Sequence, residues 1–150
     1  TASDRPACDI APPRRDLAAA GPTRFAARDA CDLAAAWAAL APRFYRRPFS
    51  EVLGKVEARR ARLGGPGDAP AVEARAALFN ALLPWSPLQG ACLLQAAWLI
   101  EFLGQADLSA DWVFGVRTWP FSAHCWVQAG EVVLNDTVER VSPYRVILKV

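Results

Sequence analysis

The chain has 150 residues, 53% of them hydrophobic, and a net charge of +2 at pH 7. That length and apolar content exclude a disordered chain and suit one helix-rich domain. The small net charge gives no electrostatic case for nucleic-acid binding. No apolar run is long enough to span a membrane, because the longest, residues 91–103, is interrupted by Gln95 and Glu101. Charge is uneven, with 13 Lys/Arg against 9 Asp/Glu in residues 1–80 and 4 against 6 thereafter. A solvated, arginine-rich helix face is the expected cause, with an acidic or phosphate-bearing partner as the alternative. There is no secretory signal, and the start at Thr1 without a methionine leads us to expect a trimmed N-terminal region. Cysteines stand at 8, 31, 92 and 125 with no CxxC, and His124 is the single histidine, so neither a metal nor another cofactor is expected. Free thiols suit a cytosolic protein.

In chain order, residues 1–23 are rich in Pro, Arg and Ala without a period, and read as an irregular arm ahead of a domain spanning 24–150. Residues 24–40 carry a helical stripe of Phe25, Leu33, Trp37 and Leu40 that Pro42 is expected to end. A second helix should start after Ser50 and run to Leu63, where the Gly64–Gly67 stretch stops it. That glycine run lacks a following Lys-Ser/Thr and reads as a linker, not a phosphate loop. Asp68 can cap a third helix over 70–83, with Val72, Ala76, Leu78, Phe79 and Leu82 inward. Ser86, Pro87 and Gln89 resemble a capping box for a fourth helix, and Gly90 offers a second possible start. From Cys92 to Leu103 that helix is apolar almost throughout, so it should be central, with Trp98 in the core and Gly104 at its end. Strands follow at 111–117, 121–128, 132–136 and 145–150, with Trp112 in the core and a hairpin turn at Ala129–Gly130. Helices first and strands last predict an α+β fold, with a central Cys-bearing helix packed on a small antiparallel sheet.

A thiol is reactive when a helix N-terminus or a nearby imidazolium favours its thiolate; otherwise a free cysteine is a small buried hydrophobe. Cys8 and Cys31 have no such setting. Cys125 neighbours His124 on a strand, so their side chains point to opposite faces. Cys92 has the helix-start setting if the helix begins near Gly90, and loses it if the helix begins at Ser86. Ser122, His124, Trp126 and Gln128 share one strand face; Phe121, Ala123, Cys125 and Val127 form the core-like face. A two-residue loop at Ala129–Gly130 pairs residues summing to about 259 and puts Asn135 opposite His124; a three-residue loop sums to about 260 and puts Asp136 there. A carboxylate would hold the imidazole tautomer and stabilise imidazolium, whereas an amide would only orient the ring.

These residues carry a resemblance. The order Cys92, Gly115-Val116-Arg117, Pro120-Phe121, His124, Trp126-Val127, Asn135-Asp136 is similar to that of the transglutaminase-like cysteine peptidases of lasso-peptide biosynthesis, over residues 88–138. Cys125 departs from the small residue usual there, and Gln95 stands where many relatives carry Ser. The resemblance implies a transglutaminase-like, papain-like core and a peptidase that removes the leader from a ribosomally made precursor. In that mechanism Cys92 is the nucleophile, His124 the base and Asp136 its orienting partner, which requires an even hairpin sum. Gln89 and Trp85 become candidate oxyanion donors beside the Cys92 N–H. Trp119, Phe121, Trp126 and Arg117 become candidate substrate contacts, with packing as the other role for Trp119 and Phe121 and a surface position for Arg117. The implied partners are the precursor, a leader-binding domain or protein, and a macrocyclase. A non-catalytic peptide-binding module and an acyl transferase using the same triad are the alternatives.

Overall fold

The computed structural model describes residues 9–17, 24–65, 67–88 and 90–150. Five helices and a five-stranded sheet form the expected α+β arrangement among these residues. Helix α1 (Ala27–Arg46) starts where the Asp29 carboxylate accepts the Ala26 N–H at 2.6 Å. Pro42 does not end it. The helix continues to Arg46 because the residues beyond the proline have aromatic partners: Tyr45 meets Trp37 edge-on at 6.3 Å, and Phe44 packs on the core. That packing offsets the lost backbone hydrogen bond. Phe25 lies outside the helix and is exposed, while Leu33 and Leu40 are buried.

Helix α2 (Phe49–Leu63) follows Pro48 directly, two residues ahead of the expected start, and ends at Gly64 with φ +77°, a left-handed cap. Helix α3 (Ala69–Leu82) buries Val72, Ala76, Phe79 and Leu82, and a 3-10 turn follows at Leu83–Trp85. Helix α4 (Cys92–Gly104) begins at Cys92, with Ala91 as its N-cap. Ser86 therefore caps no helix; its Oγ accepts the Leu88 N–H at 3.1 Å and shapes the preceding turn. Seven residues of α4 are buried, among them Trp98, whose indole donates to the Leu33 carbonyl at 3.0 Å.

The arginines of the front half are largely tied back to the protein. Arg59 pairs with Glu101 at 3.1 Å, Arg75 with Asp32 at 3.2 Å, and Arg60 with Asp111. None of the described helices is long and apolar enough to cross a membrane.

The sheet has strand order β1-β4-β3-β2-β5, with β1 (Arg15–Asp16), β2 (Asp111–Thr118), β3 (Phe121–Ala129), β4 (Val132–Val133) and β5 (Arg145–Lys149). Pairing is antiparallel except for β1, which lies parallel to β4. The expected irregular arm is thus partly built into the sheet; residues 1–8 and 18–23 lie outside the described residues. One sheet face packs on the helices through Trp112, Cys125 and Val127. The other face has its own small core of Val113, Trp126, Val133 and Val141, covered by Ile10, Val138, Tyr144 and Val146. Helix α5 (Val138–Val141) belongs to this second layer, and Asp16 holds it by accepting the Val138 N–H at 2.9 Å.

Leu99 is fully buried at the centre of α4. A Leu99→Ala variant should lose about 3 kcal/mol of unfolding free energy in urea titration, the usual cost of a cavity of this size.

Candidate active site

His124 stands in β3, opposite Gly115 of β2. Its Nε2 meets Asp136 Oδ2 at 2.5 Å, and both side chains are nearly buried. The second carboxylate oxygen accepts the Thr137 N–H at 2.9 Å and lies 3.5 Å from Arg140 Nε. An ionised carboxylate only accepts, so Nε2 carries a proton and Nδ1 of the neutral ring is left as the basic nitrogen. The imidazole is backed by Trp126, stacked at 6.1 Å between ring centroids, and by Tyr144 at 5.3 Å. Residue 115 has to be glycine: a Cβ there would lie 2.9 Å from Tyr144 Cβ and 3.1 Å from the Trp126 ring.

Asp136 reaches His124 by a route the hairpin rule does not contain. The observed pairs, Gln128↔Val133 and Ala129↔Val132, have an odd sum, and the loop is Gly130–Glu131. Gly130, with φ +57°, takes the first loop position, where hairpin turns favour glycine. The requirement of an even sum is therefore wrong, and so is its corollary that an odd sum hands the role to Asn135. Strand β4 ends after two residues, so the register never extends to residue 136. Leu134 N–H still donates to the Val127 carbonyl at 2.9 Å, but Val127 N–H turns to Asn135 Oδ1 at 2.8 Å. Asn80 of α3 takes the Leu134 carbonyl at 2.7 Å. The two amides end the ladder, and the chain bends to bring Asp136 to the imidazole.

Cys92 is the first residue of α4, in the helix-start setting, and is half-buried. No side chain caps this helix end, so the dipole and the backbone N–H groups there are open to an anion. Gln95 donates to the Gly90 carbonyl at 3.0 Å and so fastens the turn that leads into Cys92. Cys125 is buried on the core face, as strand alternation predicts. Its thiol is pushed up to about 12, chiefly by burial and next by the neighbouring Cys92 sulfur, with Asp136 adding a smaller push. Cys125 thus lies within reach of the Cys92 sulfur and of the Asp136 charge, and as a neutral thiol it is no nucleophile.

The other sequence-derived candidates separate clearly. Trp126 is 2% exposed and donates its indole N–H to Gln128 Oε1 at 3.0 Å, so it supports the imidazole from inside and does not line an open pocket. Trp119 and Phe121, at the β2–β3 hairpin end, are 92% and 77% exposed and are not packing residues. Trp85 is 80% exposed, which argues against an oxyanion role, since such donors act where water is excluded. Gln89 lies outside the described residues. Arg117 is half-buried beside His124. Periodicity missed Asn80, Tyr144 and Ser122, whose hydroxyl pairs with that of Tyr144 at 3.1 Å. Their partners are 54 and 22 residues away, beyond any local pattern. No group of three or more His, Cys, Asp or Glu among the described residues is arranged to hold a metal ion.

The sequence pattern of the transglutaminase-like superfamily matches residues 33–149, most of the chain, including all of α4 and strands β2 to β5. The chain belongs to the transglutaminase-like superfamily. A Cys-bearing helix packed on an antiparallel sheet is the core expected of this superfamily. Over 45 residues the chain is 42% identical to the microcin J25-processing protein McjB of Escherichia coli, a stretch that is 30% of this chain and 22% of that protein. The match therefore spans less than a quarter of the relative's length. No solved structure matches the chain.

Two outcomes follow from this geometry. Asn135→Ala should cost about 1–2 kcal/mol by leaving the Val127 N–H unsatisfied, read as a lower denaturation midpoint. The second concerns Cys125. Its folded pKa, about 12, exceeds the ordinary 9.0, so above pH 9 the unfolded chain sheds this proton first and binds fewer protons than the native state. Stability then falls as pH rises from about 9 toward 12. In Cys125→Ala that alkaline slope should flatten, measured by urea unfolding across the same pH range.

Proposed function

We propose that this chain is a cysteine peptidase that removes the leader from a ribosomally synthesised lasso-peptide precursor. The observation that carries the reading is the His124–Asp136 pair, whose Nδ1 is engaged by no described side chain, with Cys92 as the first residue of α4 supplying the thiol. The superfamily match and the similarity to a microcin-processing protein support it.

In this reading Nδ1 of His124 takes the proton of Cys92, and the thiolate attacks the scissile carbonyl carbon. The tetrahedral oxyanion is held by backbone N–H groups at the first turn of α4, where the helix dipole favours negative charge. The imidazolium, stabilised by Asp136, then gives its proton to the departing amine. A water molecule, deprotonated by the same nitrogen, attacks the thioester, and the leader leaves with a carboxylate. Asp136 keeps Nδ1 as the working nitrogen throughout, because it holds the ring proton on Nε2. The precursor peptide, a leader-binding domain or protein, and a macrocyclase that uses the freed core are the partners this role requires. We place the activity in the bacterial cytoplasm.

The test is mass spectrometry of a candidate precursor incubated with the protein and its leader-binding partner. Hydrolysis should yield leader and core. Cys92→Ala and His124→Ala should lose activity by at least ~10³-fold, and Asp136→Asn by roughly 10²–10⁴-fold, with folding retained. Cleavage retained by Cys92→Ala would end the proposal. A leader joined to an added amine would instead mark a transferase, and binding without any turnover a peptide-binding module.

A further inference from the structure

Beside His124 lies a pocket of about 290 Å³ lined by Arg117, His124, Glu139, Arg140, Pro143 and Tyr144. Its lining carries two arginines and one carboxylate, Glu139. Arg140 is already engaged by Asp136 Oδ1 at 3.5 Å and is largely exposed. Glu139 sits on the exposed side of α5. Arg117 forms no ion pair with any described carboxylate, and its Nε is buried without a hydrogen-bond partner. The guanidinium rests over the Tyr144 ring at 5.4 Å, a cation–π contact that offsets only part of its desolvation. Tyr144 is itself held by Ser122, the residue opposite Arg117 in the β2–β3 ladder. The cation is thereby kept at the rim of the pocket and left unpaired.

We propose that this pocket holds a carboxylate of the peptide substrate against Arg117, so that the site selects an acidic group close to the scissile bond. This inference rests on the thiol-peptidase reading and adds a substrate class to it. A guanidinium presents a planar fork of N–H donors that matches a carboxylate in two parallel hydrogen bonds, and a half-buried fork pairs more strongly than an exposed one. Alternation of side chains puts Arg117 and Gly115 on one face of β2, and Gly115 is the residue opposite His124. A carboxylate in the pocket is therefore one strand step along from the imidazole that, in the peptidase reading, serves the bond to be cut.

Three small alkylating probes test this without knowledge of the natural precursor: N-chloroacetyl-glutamic acid amide, N-chloroacetyl-glutamine amide and N-chloroacetyl-glutamine with a free terminal carboxylate. Each forms a thioether with a thiolate and expels chloride, and the rate at Cys92 is read by peptide mapping. In the wild-type protein at least one acid probe should modify Cys92 ~10-fold faster than the neutral amide. Which acid is preferred tells a side-chain carboxylate from a terminal one. The acid-to-amide ratio should fall to near one in Arg117→Gln and be partly kept in Arg117→Lys, which retains charge but not the fork. The ratio is internal to each variant, so a general loss of reactivity does not disturb it. No acid preference in the wild type, or a preference that survives Arg117→Gln, would overturn the inference while leaving the peptidase reading intact. A Cys92 no faster than Cys31 with all three probes would overturn the peptidase reading itself, and this inference with it.

Discussion

The arrangement of the site depends on two backbone groups that do not pair with each other. A continuing antiparallel ladder would join Val127 N–H to the Leu134 carbonyl. Asn135 takes the first and Asn80 the second, at 2.8 and 2.7 Å. Buried peptide groups must find partners, so removing these two from the ladder without leaving them orphaned is what allows β4 to stop after two residues. The chain then bends, and Asp136 reaches the imidazole from beyond the end of β4 and not from a ladder position opposite it. One of these amides comes from α3, so the helical layer takes part in ending a strand, and the geometry of the His124–Asp136 pair is tied to the packing of helix on sheet.

Much of this was legible in residue order and periodicity. The helices of the front half, the buried character of α4 and the alternation that sends Cys125 inward and His124 outward all follow from local rules applied to these residues. Asp136 does meet His124, but not by the route that hairpin register predicts. That route relies on a register continuing past Val133, and a register is only as long as its strand. The helix start at Cys92 was one of two readings, and what decides it, the Ser86 turn, uses a hydroxyl equally able to cap. Pro42 inside α1 shows tertiary packing overriding a strong local breaker. Trp126 was misjudged because facing away from the main core was taken to mean facing a site. The sheet is covered on both sides, and nothing local in β3 announces the second cover.

That second cover explains why glycine opposes the histidine. Tyr144 and Trp126 crowd over residue 115, and the register between β2 and β5 shifts between Phe114 and Gly115. An aromatic cage needs rings within about 4.5–7 Å of each other, and two rings can approach the imidazole this closely only if the neighbouring strand offers bare backbone. The same rings that orient His124 are held by contacts from β5 and its approach, so the far end of the chain sets the stiffness of the base.

The N-terminal segment that seals this layer has a kinetic consequence. Gln128 donates to the Ala11 carbonyl, Asp16 accepts from Val138, and Lys149 donates to the Asp9 carbonyl, contacts that close loops of 117, 122 and 140 residues. Loop-closure entropy grows only slowly with length, but contacts this distant raise contact order and are rewarded late in folding. The β2–β3 hairpin, by contrast, is closed by contacts between neighbouring strands. Contact order therefore ranks this N-terminal seal over the second layer among the last features expected to form, after the hairpin that carries His124.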